Sequence, residues 1–557
     1  MSRAVDKNIT SLVVLLGLCA CGGGGGDSTT TTNPAITASH QVLAFNDLGM
    51  HCADLDYSVF TILPPYNVVH AQVIERADEP RILDNLEVGV SYVGVADIVS
   101  GSINTTSQGK TNFWTYVLDL FGLNLSVDQG MALDSAMIQA MPGISNPYMA
   151  NLPQPFKGFE AGQQWFTAAG VPIMPIDDSQ QVNTYPLMKI SANDKATGNN
   201  LANLDVVLPV ATDTDCQNCH AIGEIGADPT LHPGIFVAPT DNTDPIDVLN
   251  AAKRNILALH DTNHSTDLAV NTPVLCASCH FSEALAFAWQ GGADNTLSNV
   301  MHKYHGELID PTTGTPVFPS DGTMEDTCYQ CHPGNTTKCL RGAMGSANIV
   351  CQDCHGSMLA VGSLTRDPWI DEPRCESCHT GDAVDNLTAD IRFTVAYTDN
   401  IDTATFRVAN NKRFAENAGI LYRNSLGHGG VACEGCHGST HAIWPTTEAN
   451  DNQAAIELQG HSGTITECWV CHTSVPLNLE GPHGMHVVDN DAWDLRHGDM
   501  YEGNLSSCKT CHGVNLEGTV LSRAATNRVY VRSDDGATIS VAKGTKISCT
   551  LCHGYPD

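Results

Sequence analysis

The chain has 557 residues, 61 acidic against 27 basic side chains, a formal net charge of −34, and 22 cysteines. That balance excludes a nucleic-acid binder, because no Lys/Arg-rich stripe supplies the footprint that a phosphate backbone requires. At about 100 to 200 residues per domain the length allows two to four domains, and an aromatic content of 6% is lean for an all-protein core of this size.

Arg3 and Lys7 precede an apolar run from Ile9 to Leu18, the pattern of an export signal. The run is about 10 residues, too short to span a bilayer. It ends Leu18-Cys19-Ala20-Cys21-Gly22. A small residue before Cys21 and a Leu three before it resemble the processing box of bacterial lipoproteins. Residues 1–20 are therefore expected to be a lipoprotein signal peptide, with diacylglycerol on the Cys21 sulfur. Residues 21–39, opened by Gly22 to Gly26 and Thr29 to Thr32, read as a flexible Gly/Thr-rich tether. No other stretch is apolar enough to cross a membrane, so membrane contact is expected through the lipid anchor only.

Residues 40–211 are expected to form a mainly β domain. Segments such as Val88 to Ile98, Tyr185 to Ile190 and Leu204 to Val210 are rich in β-type residues and separated by Gly, Pro, Asn and Asp clusters. His40, His51 and His70 fall here, and Asn46 to Cys52 reads as a polar turn beside a structural cysteine. In residues 212–557 the elements are expected to be short helices and loops. Asp244-Pro245 opens one helix as N-cap and first helical residue, with Leu249, Ala252, Ile256 and Leu259 on one face. Asn295 is expected to cap a second, through Leu297, Val300 and Met301.

Across this second half Cys-x-x-Cys-His occurs nine times. The cysteine pairs are Cys216/Cys219, Cys276/Cys279, Cys328/Cys331, Cys351/Cys354, Cys375/Cys378, Cys433/Cys436, Cys468/Cys471, Cys508/Cys511 and Cys549/Cys552. The histidines that follow are His220, His280, His332, His355, His379, His437, His472, His512 and His553. The spacing is that of c-type haem attachment: two thiols three residues apart reach the two vinyl groups of one porphyrin edge, and the adjacent imidazole meets the iron from the proximal side. Zinc knuckles have no need of a His after every pair, nine thioredoxin-like folds do not fit in the available length, and a disulfide framework would not fix the His. The motifs occupy about 38 residues each, too few to enclose a macrocycle, so the porphyrins are expected to stack and act as the core.

The remaining histidines are the candidates for the distal iron position. His232, His260, His264, His302 and His305 precede a gap that extends to His428 and holds only motif histidines. Five candidates then match the five haems attached up to the end of the gap. Beyond it His428, His441, His461, His483, His486 and His497 serve the last four. His260 with His264, and His302 with His305, share helix faces. Supply meets demand, so every iron is expected to be six-coordinate and low-spin. Of the 22 cysteines eighteen lie in the motifs; Cys19 and Cys21 belong to the signal and anchor, and the leftover Cys52 and Cys339 are expected to pair as a disulfide.

Residues 216–557 resemble the multihaem c-type cytochromes that metal-respiring bacteria place in the periplasm and on the outer surface. The resemblance rests on the nine motifs and on segments such as His428 to His441, Gly481 to His486 and Lys509 to Gly513. It implies bis-histidine haems in a chain and long-range electron transfer, usually out of the cell. The expected molecule is an exported outer-membrane lipoprotein, on the cell surface or the periplasmic face, that carries electrons along nine haems. Its expected partners are redox cytochromes, a porin-cytochrome complex, and metal oxides or soluble acceptors, reached by outer-sphere transfer rather than by an enzyme site with catalytic residues. The alternatives are a multihaem reductase of a small oxyanion and the subunit of a cytochrome filament.

Overall fold

β-Branched residues at alternating positions build the first part of the chain. The strands are β1 His40–Asn46, β2 Asn67–Glu75, β3 Arg81–Leu83, β4 Val88–Val95, β5 Gln154–Pro155, β6 Gly158–Glu160, β7 Trp165–Val171, β8 Leu187–Asp194 and β9 Asn200–Val207. They form two antiparallel sheets, ordered β1-β2-β7-β6 with β3 on β2, and β9-β8-β4-β5. The computed structural model describes residues 38–232, 234, 236–285, 292–334, 336–385, 392–488, 490–532 and 535–554. The expected signal peptide, Cys21 and most of the tether lie outside the described residues.

β4 alternates strictly, burying Val88, Val90 and Tyr92. β2 does not: Asn67 to Ile74 are all buried. Its second face is covered by the Cys-rich part, where Gln72 donates to the Gly430 carbonyl at 3.1 Å and accepts from the Ala432 amide at 2.9 Å. A strand covered on both faces loses the period-2 signal. One apolar core takes Val42, Val69 and Val73 from one sheet, Met188, Ile190 and Leu204 from the other, and Trp444, Leu458 and Val470 from the Cys-rich part. Each such aliphatic side chain contributes about 1.5–3 kcal/mol of burial, so this core crosses the expected boundary near residue 211.

α1 Phe113–Phe121 is a helix inside the region expected to be β. It buries Phe113, Val117 and Leu120 against Tyr57, Leu275 and Leu285, contacts the local sequence does not announce. α2 Pro245–His264 starts where Asp244-Pro245 places it, the Asp244 side chain accepting from the Ile246 amide. α3 Leu297–Gly306 is capped by Thr296, not Asn295: Thr296 Oγ1 accepts from the Asn299 amide at 3.1 Å. α4 Asp491–His512, 22 residues long, stands where loops were expected. Its apolar residues do not recur on one face, so the 3.6-residue period is hidden; the Asn490 side chain accepts from the Ala492 and Trp493 amides and starts it. β10 Arg528–Val531 and β11 Thr538–Val541 form an antiparallel hairpin between the last two motifs.

Candidate functional site

Each motif is folded as one tight turn. Motifs one, four, five and six are short α-helices, the eighth ends α4, and the second, third, seventh and ninth are 3₁₀ turns. The His backbone amide bonds back to the first Cys carbonyl, as from His220 to Cys216 at 2.9 Å and from His379 to Cys375 at 2.8 Å. Residues three and four apart on a turn share a face, so both thiols and the imidazole are presented to one side. At Gly438, φ is +82°, and a Cβ there would lie 3.0 Å from the Ala442 carbonyl oxygen, so only glycine lets the chain leave the sixth motif this way.

Eight of the nine motif histidines face a second imidazole across a gap. The ring centres are 6.5 Å apart for His220 and His305, 6.5 Å for His280 and His260, 6.0 Å for His332 and His302, and 6.3 Å for His355 and His441. They are 6.0 Å apart for His437 and His483, 6.2 Å for His472 and His428, 6.2 Å for His512 and His486, and 5.7 Å for His553 and His497. Rings in contact lie closer, as His486 on Trp493 at 4.4 Å and His70 on Trp165 at 4.5 Å. Two imidazoles trans on one metal, each bonded at about 2.0 Å, have ring centres about 6.3 Å apart. His379 bridges to Arg392 beside residues 386–391, which lie outside the described residues.

The orientation of these rings is set by their other nitrogen. Nδ1 donates to a backbone carbonyl in His302 (Ser298, 2.7 Å), His305 (Met301, 2.8 Å), His483 (Arg413, 2.8 Å) and His486 (Val487, 2.6 Å). The same holds for His472 (Asp78, 2.9 Å), His497 (Asp494, 2.9 Å) and His512 (Ile547, 2.9 Å). A proton fixed on Nδ1 leaves the Nε2 lone pair free, the tautomer and aim that a metal ligand needs. Burial favours the neutral form of four motif imidazoles, pushing His220, His332 and His437 down to about 4 and His355 to about 3.

The pairs of His332, His355, His437 and His472 line a cavity of about 1900 Å³ bounded by Leu43, Phe60, Ile74 and Ile82 of the β region and by motif residues from Cys216 to His472. That is larger than a single small-molecule pocket of about 300–1000 Å³. Among the described residues no three or more His, Cys, Asp or Glu gather as a metal cage. Each opposed pair would hold a metal between two imidazoles, and the thiol pairs beside them are free to attach a macrocycle. The residues present fit a bis-histidine c-type haem.

The two cysteines of the second motif differ in exposure. Cys279 is exposed, whereas its partner Cys276 is half-buried. The reason is local: the 3₁₀ turn gives its inward position to Ala277, which packs with Leu275 beneath α1, and leaves the Cys279 thiol at the surface, 3.9 Å from Ser278 Oγ. Cys331 of the third motif is exposed for the same reason, Tyr329 being the residue its turn buries, but it still borders the cavity. An exposed thiol remains able to form a thioether.

The assignment of partners differs from the expected order. His441, beyond the gap, faces His355, so the gap is filled from the far side of the chain as well as the near one. His232 instead bonds the Ile225 carbonyl at 3.1 Å, His264 lies against His260 at 4.8 Å, and His461 bonds Glu467 at 3.2 Å. Cys52 and Cys339, the expected disulfide pair, carry free thiols in the structure, as do all the described cysteines. Both are half-buried, near each other and near His441, whose imidazole is raised to about 8 chiefly by the Cys339 charge. Sequence reasoning missed the carbonyl acceptors behind the rings, because any residue supplies a carbonyl and nothing in the sequence marks it. Among the described residues no helix is long and apolar enough to cross a membrane. No family model matches the chain, and no curated protein or solved structure shows significant similarity to it.

Proposed function

We propose that the chain is a nine-haem c-type cytochrome that carries electrons between one-electron partners. The observation that supports this most is the set of opposed imidazoles 5.7 to 6.5 Å apart, each pair including the His of a Cys-x-x-Cys-His turn. When bound, a c-type haem supplies a reversible one-electron iron couple. The paired cysteines would hold its edge by two thioethers, and the motif histidine with its facing partner would take both axial positions. Backbone carbonyls fix the ring tautomers, and the apolar wall of Leu43, Phe60 and Ile74 excludes water. Held between two protein imidazoles, an iron at any of these eight pairs would offer substrate no open position, which favours a carrier over an oxyanion reductase. The net charge of −34 favours cationic or metal-bearing partners over anionic ones. Export with a lipid on Cys21, placing the chain at the outer membrane, belongs to the same reading.

The test is the intact mass of the chain produced in a host that attaches haem, together with its oxidised electron paramagnetic resonance spectrum. Nine haems and low-spin signals are expected. A chain without covalent haem overturns the proposal.

A further inference from the structure

The order of the sites in space can be traced through hydrogen bonds between them, numbering them first to ninth along the chain. Asn255 on α2 donates to the His220 carbonyl at 2.9 Å, five residues before His260, which faces His280; the second site therefore adjoins the first. Motif one bonds motif three directly, from Asn218 Nδ2 to Gln330 Oε1 at 2.9 Å, and the Asp215 amide just before it bonds the Gln330 carbonyl at 3.2 Å. Gln352 of motif four donates to Thr327 beside motif three at 3.0 Å. The short segment 393–396 ties the fourth site to the fifth, with the Phe393 amide on the Cys378 carbonyl at 3.0 Å and the Ala396 amide on the Asp353 carbonyl at 2.8 Å.

Beyond the fifth site the connections divide. One arm runs from Glu416, which accepts from the Cys375 amide at 3.2 Å, through Ser425, whose carbonyl accepts from the Cys433 amide at 3.0 Å. It continues to the seventh site, the Ile465 amide bonding the Cys436 carbonyl at 2.9 Å. The other arm starts where the Ala383 amide, four residues after the fifth motif, bonds the Thr510 carbonyl inside the eighth motif at 2.9 Å. His483 and His486, three residues apart, face His437 and His512, which brings the eighth site to the same junction from the sixth. The ninth follows the eighth through the Cys549 amide on the Leu516 carbonyl at 3.1 Å. The seventh site touches this arm through Arg528 of β10, which bonds Glu467; neither residue belongs to a motif.

We propose that the nine sites form a fork with three ends, at the second, seventh and ninth sites, and that the eighth site joins at the fifth and sixth rather than following the seventh. The inference rests on the nine-haem reading. One electron taken from a one-electron donor at one end is delivered to a one-electron acceptor at either of the other two, and the array returns to its starting state. The molecule then has one more partner-facing end than a row.

The test uses the full nine-haem chain. A ruthenium photosensitiser attached through Asp267→Cys, an exposed position near the second site, injects electrons on a flash in the presence of a sacrificial reductant. His497→Ala makes the ninth haem high-spin, and its own absorption band reports arrival there. Adding Cys468→Ala with Cys471→Ala, which removes the seventh haem, is expected to leave arrival at the ninth, whereas Cys508→Ala with Cys511→Ala is expected to abolish it. Loss of arrival on removing the seventh haem, or its survival without the eighth, overturns the fork. Absorption and mass identify variants that retain eight haems; a parent chain with none overturns the haem reading itself. Should a deletion variant not fold, zero-length carbodiimide cross-linking of the intact chain decides: Lys509 joined to Asp385 supports the fork, and Lys509 not joined to it overturns it.

Discussion

His441 lies four residues after His437 yet faces His355, 6.3 Å away. Replacing it therefore tests spatial against sequential assignment. His441→Ala is expected to convert one haem to high spin with one equivalent of carbon monoxide bound after reduction. Adding Cys351→Ala and Cys354→Ala is expected to remove that signal, because the affected haem is the one attached there; a signal that persists counts against the pairing. His70 shows the other fate of a histidine. It is buried, stacked on Trp165 and bonded through Nδ1 to Thr167 at 3.0 Å, and burial lowers its pKa below the ordinary 6.5. The unfolded chain then binds the proton more readily, so stability is full above about pH 6.5 and falls as the pH drops towards the folded value, by up to about 1.4 kcal/mol per unit. His70→Gln is expected to lose less stability than the parent between pH 7.5 and 5.5 in denaturant titrations. Equal losses would show that His70 is not the group responsible.

At the scale of elements, the segment after the third motif is fastened to the segment between the sixth and seventh motifs by one buried ion pair. Arg341, fully buried, donates to both Asp451 oxygens at 2.5 and 2.8 Å and lies over Tyr185. Arg341→Met leaves the Asp451 charge buried and unpaired and is expected to cost about 3–5 kcal/mol, read as a shift of the denaturation midpoint. The double replacement with Asp451→Leu is expected to recover part of the loss; no recovery would locate the cost in packing rather than charge. Thr296→Ala at the α3 N-cap is expected to cost about 1 kcal/mol and, because α3 carries His302 and His305, to loosen the first and third sites together. A high-spin fraction appearing at both sites would show it. The elements also divide by legibility. α2 was readable because Asp244-Pro245 and its apolar spacing agree, whereas α1 and α4 are held by contacts and caps that no local period records.

At the scale of the molecule, the proposed haems would fill a cavity of about 1900 Å³, whose apolar walls would lose both burial and contact if nothing filled it. Chain made where haem is not attached is therefore expected to keep β structure, from the two sheets that pack on each other, and to become protease-sensitive through residues 212–557. Equal protease resistance of the haem-free and haem-loaded chains would refute this. The sequence by itself determined the local turns: nine Cys-x-x-Cys-His spacings each close as one turn, α-helical or 3₁₀, and the alternation of β4 and the cap of α2 are local as well. Only the tertiary structure decided which imidazole faces which, and which thiol, as at Cys279, is left at the surface. His305 and His220 are separated by 85 positions in the sequence, and ring pairing across such spans depends on how α3 packs and which carbonyl holds each Nδ1, information that no spacing in the chain carries.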